Sequence, residues 1–364
     1  MVAERKKISP YMVWFVIHPI QFGMAELWFA RFLMEDAGFD GWIGVIIAGL
    51  AVHLLIWLIY GILNKGEGSA VSIHKQIFGK WLGGGFSLLL ILFFVLEGIF
   101  TLRSYAEIIQ VWLFPGIRIW VIGVMMLFLV YYAIGGGFRV VVGVCFFGFL
   151  IPLVVLTGVL IPPLHYSNFN NMLPVFNHPM SDLLKAAKDM TLGYIGFEGL
   201  LIAYPFVKKP RASQKWAHAG NLFTTLFYLW ITFIMFSFFN ENLMERLIWP
   251  KMNLVQLTQL PFLAGFQYVF ISLWMMVILP NLTYAVWAAS RAAKELFSVR
   301  HRKTLAVVCV VIFVVPLFLS DHEDVRELDR LVALCGFYFL MTYIPFLWIA
   351  QRVIERWRKR RRFS

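Results

Sequence analysis

The sequence predicts an all-α polytopic membrane protein of about ten transmembrane helices, and three observations carry that reading. Hydrophobic residues make up 60% of the 364 while charged residues are only 14%, against about 25% in a chain that must cover a water-facing surface. The apolar residues come in long blocks. From Gly41 to Leu63 the only strongly polar side chain is His53, and such a run crosses about 30 Å of hydrocarbon as a helix. The lysines and arginines lie mostly between these blocks and at both ends, where membrane topology puts them. Continuous blocks also exclude the short alternating strands of a transmembrane barrel.

Taken in order, the spans fall at roughly 10–33, 40–63, 84–112, 117–134, 139–161, 183–206, 216–239, 264–293, 304–320 and 331–351. The first is expected to act as its own insertion signal, because the apolar stretch after Arg5-Lys6-Lys7 lacks a small-residue cleavage site and runs on into Glu26. Residues 70–82 and 240–263 read as amphipathic helices outside the spans, and Gly135-Gly136-Gly137 as a tight turn between spans 4 and 5. The start of span 6 holds Lys185, Lys188 and Asp189, so it reads as a half-helix facing protein or water. Pro280 in span 8 removes a backbone bond and predicts a kink.

With both termini cytoplasmic, the inner segments hold 23 of the 32 lysines and arginines, seven of them in 352–364. That bias is the positive-inside pattern. The net charge of +12 therefore reflects topology and a basic, lipid-facing tail, not nucleic-acid binding. Cys145, Cys309 and Cys335 lie within apolar segments and read as inert packing thiols.

Spans 1 and 6 are both interrupted. One reads His18-Pro19-Ile20-Gln21-Phe22-Gly23-Met24-Ala25-Glu26, the other Leu192-Gly193-Tyr194-Ile195-Gly196-Phe197-Glu198-Gly199. Each is the first span of a five-span half, about 9–161 and about 182–351 of a single membrane domain. Interrupted helices at matching positions of two halves point to an inverted 5+5 repeat with its site at the midplane. Where helix 1 restarts, N–H groups near Gly23, Met24 and Ala25 suit a carboxylate. Where helix 6 stops near Gly193, carbonyls suit an ammonium. The alternative is that these glycines only permit close helix packing.

Glu97 sits mid-span, where an ionised carboxylate costs at least about 2.5 kcal/mol unless it faces a cavity or a partner. It reads as a proton carrier, an ammonium partner, or a neutral acid bonded to a neighbouring helix. Arg103 and Glu107, four apart, are expected to pair. Glu26 and Glu198 serve either a site or the anchoring of half-helices, Lys188 is a candidate partner for a mid-membrane glutamate, and Asn281 and Thr283 offer polar contacts beside the kink. No catalytic triad, metal cluster or nucleotide loop is recognisable, so neither enzyme activity nor a cofactor is expected.

Tyr194-Ile195-Gly196-Phe197-Glu198 resembles the helix-6 motif of the amino acid/polyamine/organocation superfamily. The whole length, with Ile8-Ser9-Pro10-Tyr11 and Tyr284-Ala285-Val286-Trp287-Ala288-Ala289-Ser290-Arg291, resembles the B-subunit permeases of spore-germination nutrient receptors. The resemblance implies a LeuT-like fold in the spore inner membrane, a complex with a membrane A subunit and a lipoprotein C subunit, and a germinant, often an amino acid, in the transporter-type pocket. The pocket would then involve Gly23 with Met24 and Ala25, Gly193, Tyr194, Gly196, Phe197 and Glu198, and Asn281 to Thr283. Helix 1 departs from amino-acid transporters, because Phe22-Gly23-Met24 is bulkier than their paired small residues. A proton-coupled amino-acid transporter using Glu97, or a water or ion conduit, would share this architecture.

Overall fold

The structure is a computed structural model that describes residues 4–257, 265–319 and 321–363, with the side chains of Arg5, Leu156 and 359–363 left aside. Helices dominate. In chain order they are α1 (Trp14–Gln21), α2 (Phe29–Ala37), α3 (Gly41–Leu63), α4 (Ala70–Trp112), α5 (Ile119–Gly135), α6 (Phe138–Gly158), α7 (Met180–Asp189) and α8 (Thr191–Tyr194). There follow α9 (Leu200–Ala203), α10 (Gln214–Phe238), α11 (Glu241–Arg246), α12 (Pro250–Leu257), α13 (Phe266–Phe297), α14 (His301–Val314), α15 (His322–Tyr338) and α16 (Ile344–Phe363).

Among the described residues, seven helical stretches are long and apolar enough to cross a membrane, and Ile119–Gly135 and Phe197–Phe206 are shorter apolar ones. The protein is a multi-pass membrane protein. The expected ten spans are not ten continuous helices, because backbone breaks cut the first and sixth into pieces too short to cross alone. The long helices are apolar all round: α3 buries Val45, Val52, Leu55 and Ile59 while exposing Leu50, Leu54 and Trp57, as a helix does when lipid covers its outer face.

The central helix is α13, which packs along α4 and α6; α10 packs on α1 and α3. α13 runs through Pro280 without ending, and Gly148 of α6 approaches so closely that a Cβ there would lie 2.5 Å from the Met276 carbonyl. The helix expected over 70–82 is shorter, covering 70–78 before Gly79 at φ +78 sets it off from the rest of α4, and Gly137 at φ +90 makes the turn between α5 and α6.

Both ends of the chain lie on one face. Ile8 bridges Val207, Arg139 donates to the Lys7 carbonyl, and Arg358 donates to the Gln76 carbonyl at 2.7 Å. The basic tail is thus the end of a helix that runs to Phe363. At the opposite face Asp40 caps the loop before α7, accepting the backbone N–H groups of Phe176 (2.8 Å), Asn177 (2.6 Å) and His178 (3.1 Å). There too Glu107 pairs with His322 and Arg103 donates to the Leu319 carbonyl. The expected Arg103–Glu107 pair is reduced to electrostatic proximity.

Candidate functional site

Two backbone breaks meet at the centre of the molecule. Helix 1 stops at Gln21, passes through extended Phe22 and Gly23, and restarts as a 3-10 turn at Met24. Helix 6 stops at Tyr194 and turns through Ile195 and Gly196, whose φ of +118 favours glycine. A Cβ on Gly196 would also collide with Ile20 of helix 1, so the two breaks are in direct contact.

Side chains satisfy several of the backbone groups that the breaks expose. Asn281 donates to the carbonyls of Pro19 (3.1 Å) and Phe22 (3.4 Å), and Tyr228 donates to the Gln21 carbonyl at 3.1 Å. Gln21 donates to the Tyr194 carbonyl and to Asn221, which continues to the Gly49 carbonyl. The carbonyl at the end of helix 6, expected to meet an ammonium, is therefore already engaged by Gln21. Gly23 lets Asn281 come close: a Cβ there would lie 2.7 Å from the Asn281 side-chain oxygen, so that side chain would have to shift.

The remaining candidate residues separate into groups. Tyr194 is buried and donates to Thr225 (2.9 Å) and the Val45 carbonyl (3.2 Å), while Gly193 packs on Met190 and Tyr228. Met24 and Phe197 are buried apolar contacts. Asn281 meets helix 1, but Thr283 lies about 200° further around its helix and is buried without a hydrogen-bond partner among the described residues. Lys188 stands over the Phe337 ring, not beside a mid-membrane glutamate.

Glu97 of α4 and Glu198 meet carboxyl to carboxyl, and Glu198 also accepts the Gly196 N–H at 2.8 Å. No N–H or O–H of the described residues reaches Glu97 Oε1 or Glu198 Oε1, and the nearby Tyr284 hydroxyl is also without a partner. Buried polar atoms are nearly always satisfied in native proteins. Two touching carboxyl groups at membrane depth accommodate a shared proton or a cationic ligand group.

Between α2, α4, α7 and α15 a cavity of about 960 Å³ opens toward the face opposite the termini. Its lining includes four acids, Glu107, Asp189, Glu327 and Asp329, balanced by four lysines and arginines, among them Arg31 and Lys188. Ala25, Trp28 and Phe29 bring it down to the restart of helix 1.

Residues 7–325 match a family model described as spore germination protein. The chain belongs to that family. It is similar to spore germination protein GerQB of Bacillus cereus, at 38% identity over 95% of this chain and 96% of that protein. Spore germination protein YndE of Bacillus subtilis is 26% identical over 88% of each chain, and spore germination protein A2 of the same organism 23% identical over 85% of this chain and 86% of its own. The resemblance to permease-like germination proteins is thereby borne out. In this spore germination protein the motif ending in Arg291 packs internally: Trp287 lies tilted against Phe138 and edge-to-face with Phe206, and the Arg291 guanidinium lies over Phe206.

Sequence reasoning missed the polar network that holds the breaks. Gln21, Asn221 and Tyr228 are isolated polar residues in apolar runs, and that isolation was the available signal. It also missed Lys251, read only as part of an amphipathic segment, which is fully buried and ion-paired with Glu26. Residues 258–263 of that segment lie outside the described residues.

Proposed function

We propose that this protein is the nutrient-binding subunit of a spore germination receptor, binding a small zwitterion such as an amino acid between its two helix breaks. The observation that supports it most is the meeting of those breaks beneath a charge-balanced cavity, beside a carboxyl pair with one oxygen each, and a tyrosine hydroxyl, that have no hydrogen-bond partner among the described residues. A cavity with both signs of charge admits a zwitterion, and the Glu97–Glu198 pair suits its ammonium.

On this reading the chain takes the LeuT-like arrangement of ten spans in two inverted halves, with broken helices 1 and 6, in the spore inner membrane. Both termini, together on the basic face, are cytoplasmic. It works with a membrane A subunit and a lipoprotein C subunit, and its task is binding, not catalysis. The Glu97–Glu198 pair also favours a second reading, proton-coupled amino-acid uptake, with Glu97 as the coupling acid.

Deleting the gene, then scoring nutrient-triggered germination and labelled amino-acid uptake in parallel, separates the two. Loss of the response to one nutrient with normal uptake is expected. Normal germination with lost uptake would overturn the receptor reading in favour of a transporter.

A further inference from the structure

Lys251 lies on α12, near the face opposite the termini, yet its side chain is fully buried. Its ammonium is ion-paired with Glu26, which is also fully buried. Three aromatic rings surround it, with centroids at 5.5 Å (Phe22), 5.8 Å (Phe270) and 5.2 Å (Trp274). A buried ammonium is tolerated only where a carboxylate and ring faces take the place of water.

The box and its occupant come from different elements. Phe22 and Glu26 flank the helix-1 break, and Phe270 and Trp274 belong to α13. None of the four is on α12, an eight-residue helix that delivers only the ammonium. We infer that Glu26, Phe22, Phe270 and Trp274 form a binding site for an alkylammonium group, and that Lys251 fills it until the ammonium of a ligand takes its place.

The ligand class follows from the walls. Ring faces attract organic cations that shed water readily, while one carboxylate supplies a single countercharge. The lysine side chain shows that a primary ammonium on an unbranched stem fits. The large cavity comes close on both sides of the pair: Ala25, next to Glu26, and Trp249, two residues before Lys251, both line it. The inference deepens the nutrient-binding reading and rests on it for the physiological ligand; binding to purified protein and germination of the deletion strain succeed or fail independently.

The test uses the full-length protein purified in lipid nanodiscs, with butylammonium chloride as the probe and sodium chloride at equal ionic strength as the control. Lys251→Ala should lower the melting temperature, and millimolar butylammonium should restore most of the loss. Sodium should not, and Lys251→Ala/Glu26→Gln should not be rescued. Absence of rescue, rescue by sodium, or equal rescue of the double variant would overturn the inference. If Lys251→Ala does not fold, acylation of Lys251 in the wild-type protein by an N-hydroxysuccinimide ester is followed by peptide mass spectrometry. Lys251 should be protected at least tenfold relative to exposed Lys185, and tetramethylammonium should raise its labelling at least threefold. Labelling at the rate of Lys185, or protection that tetramethylammonium leaves unchanged, would contradict the site.

Discussion

Glu97 shows how far a single residue carries. Its position in an apolar run marked it in the sequence, and the structure gives it a carboxyl neighbour, Glu198, from the helix-6 break. Glu97→Gln keeps the shape and removes the charge. It should abolish the nutrient response or move its midpoint by more than about tenfold, since a charge-assisted contact is worth about 1.5–3 kcal/mol. An unchanged dose–response between pH 6 and 8 would reduce Glu97 to packing. Lys251 was illegible for a physical reason. A lysine in a short loop helix reads as solvated, and only the tertiary approach of Glu26 and three rings makes burial tolerable.

Among the elements, the interrupted helices were legible because two glycine-bearing polar interruptions, at 18–26 and 192–199, fall at matching places along the chain. Gly196 has both left-handed backbone and no room for a Cβ beside Ile20. Gly196→Ala should therefore cost at least about 1–2 kcal/mol, read as a lower melting temperature of the purified protein; an unchanged melting temperature would mean that the turn relaxes freely. The groups that satisfy the breaks were not legible, because Asn281, Tyr228 and Gln21 lie up to 262 residues from the carbonyls they bond. Asp40 is a comparable case at the far face. Read only as the start of span 2, it organises the loop before α7 by accepting three backbone N–H groups. Asp40→Ala should cost about 1–3 kcal/mol and speed proteolysis around 170–178, whereas wild-type cleavage rates would show that the loop holds without it.

For the molecule as a whole, composition and charge placement were enough for a multi-pass helical protein with both ends on one basic face. They did not reveal the cavity, because its lining is assembled from α2, α4, α7, α15 and the loop before α12. Nor did they reveal that the carboxyl pair, the Tyr284 hydroxyl and the two breaks share one centre. The most direct test of that centre as a nutrient site is the germination dose–response of spores carrying Tyr284→Phe, with the abundance of the protein in spore membranes measured alongside. The exchange removes one buried hydroxyl that has no partner among the described residues, so the empty protein should be as stable as before or slightly more so. The account predicts wild-type abundance and a midpoint raised roughly tenfold, the loss of one hydrogen bond to the ligand. Wild-type abundance with an unshifted midpoint would contradict it.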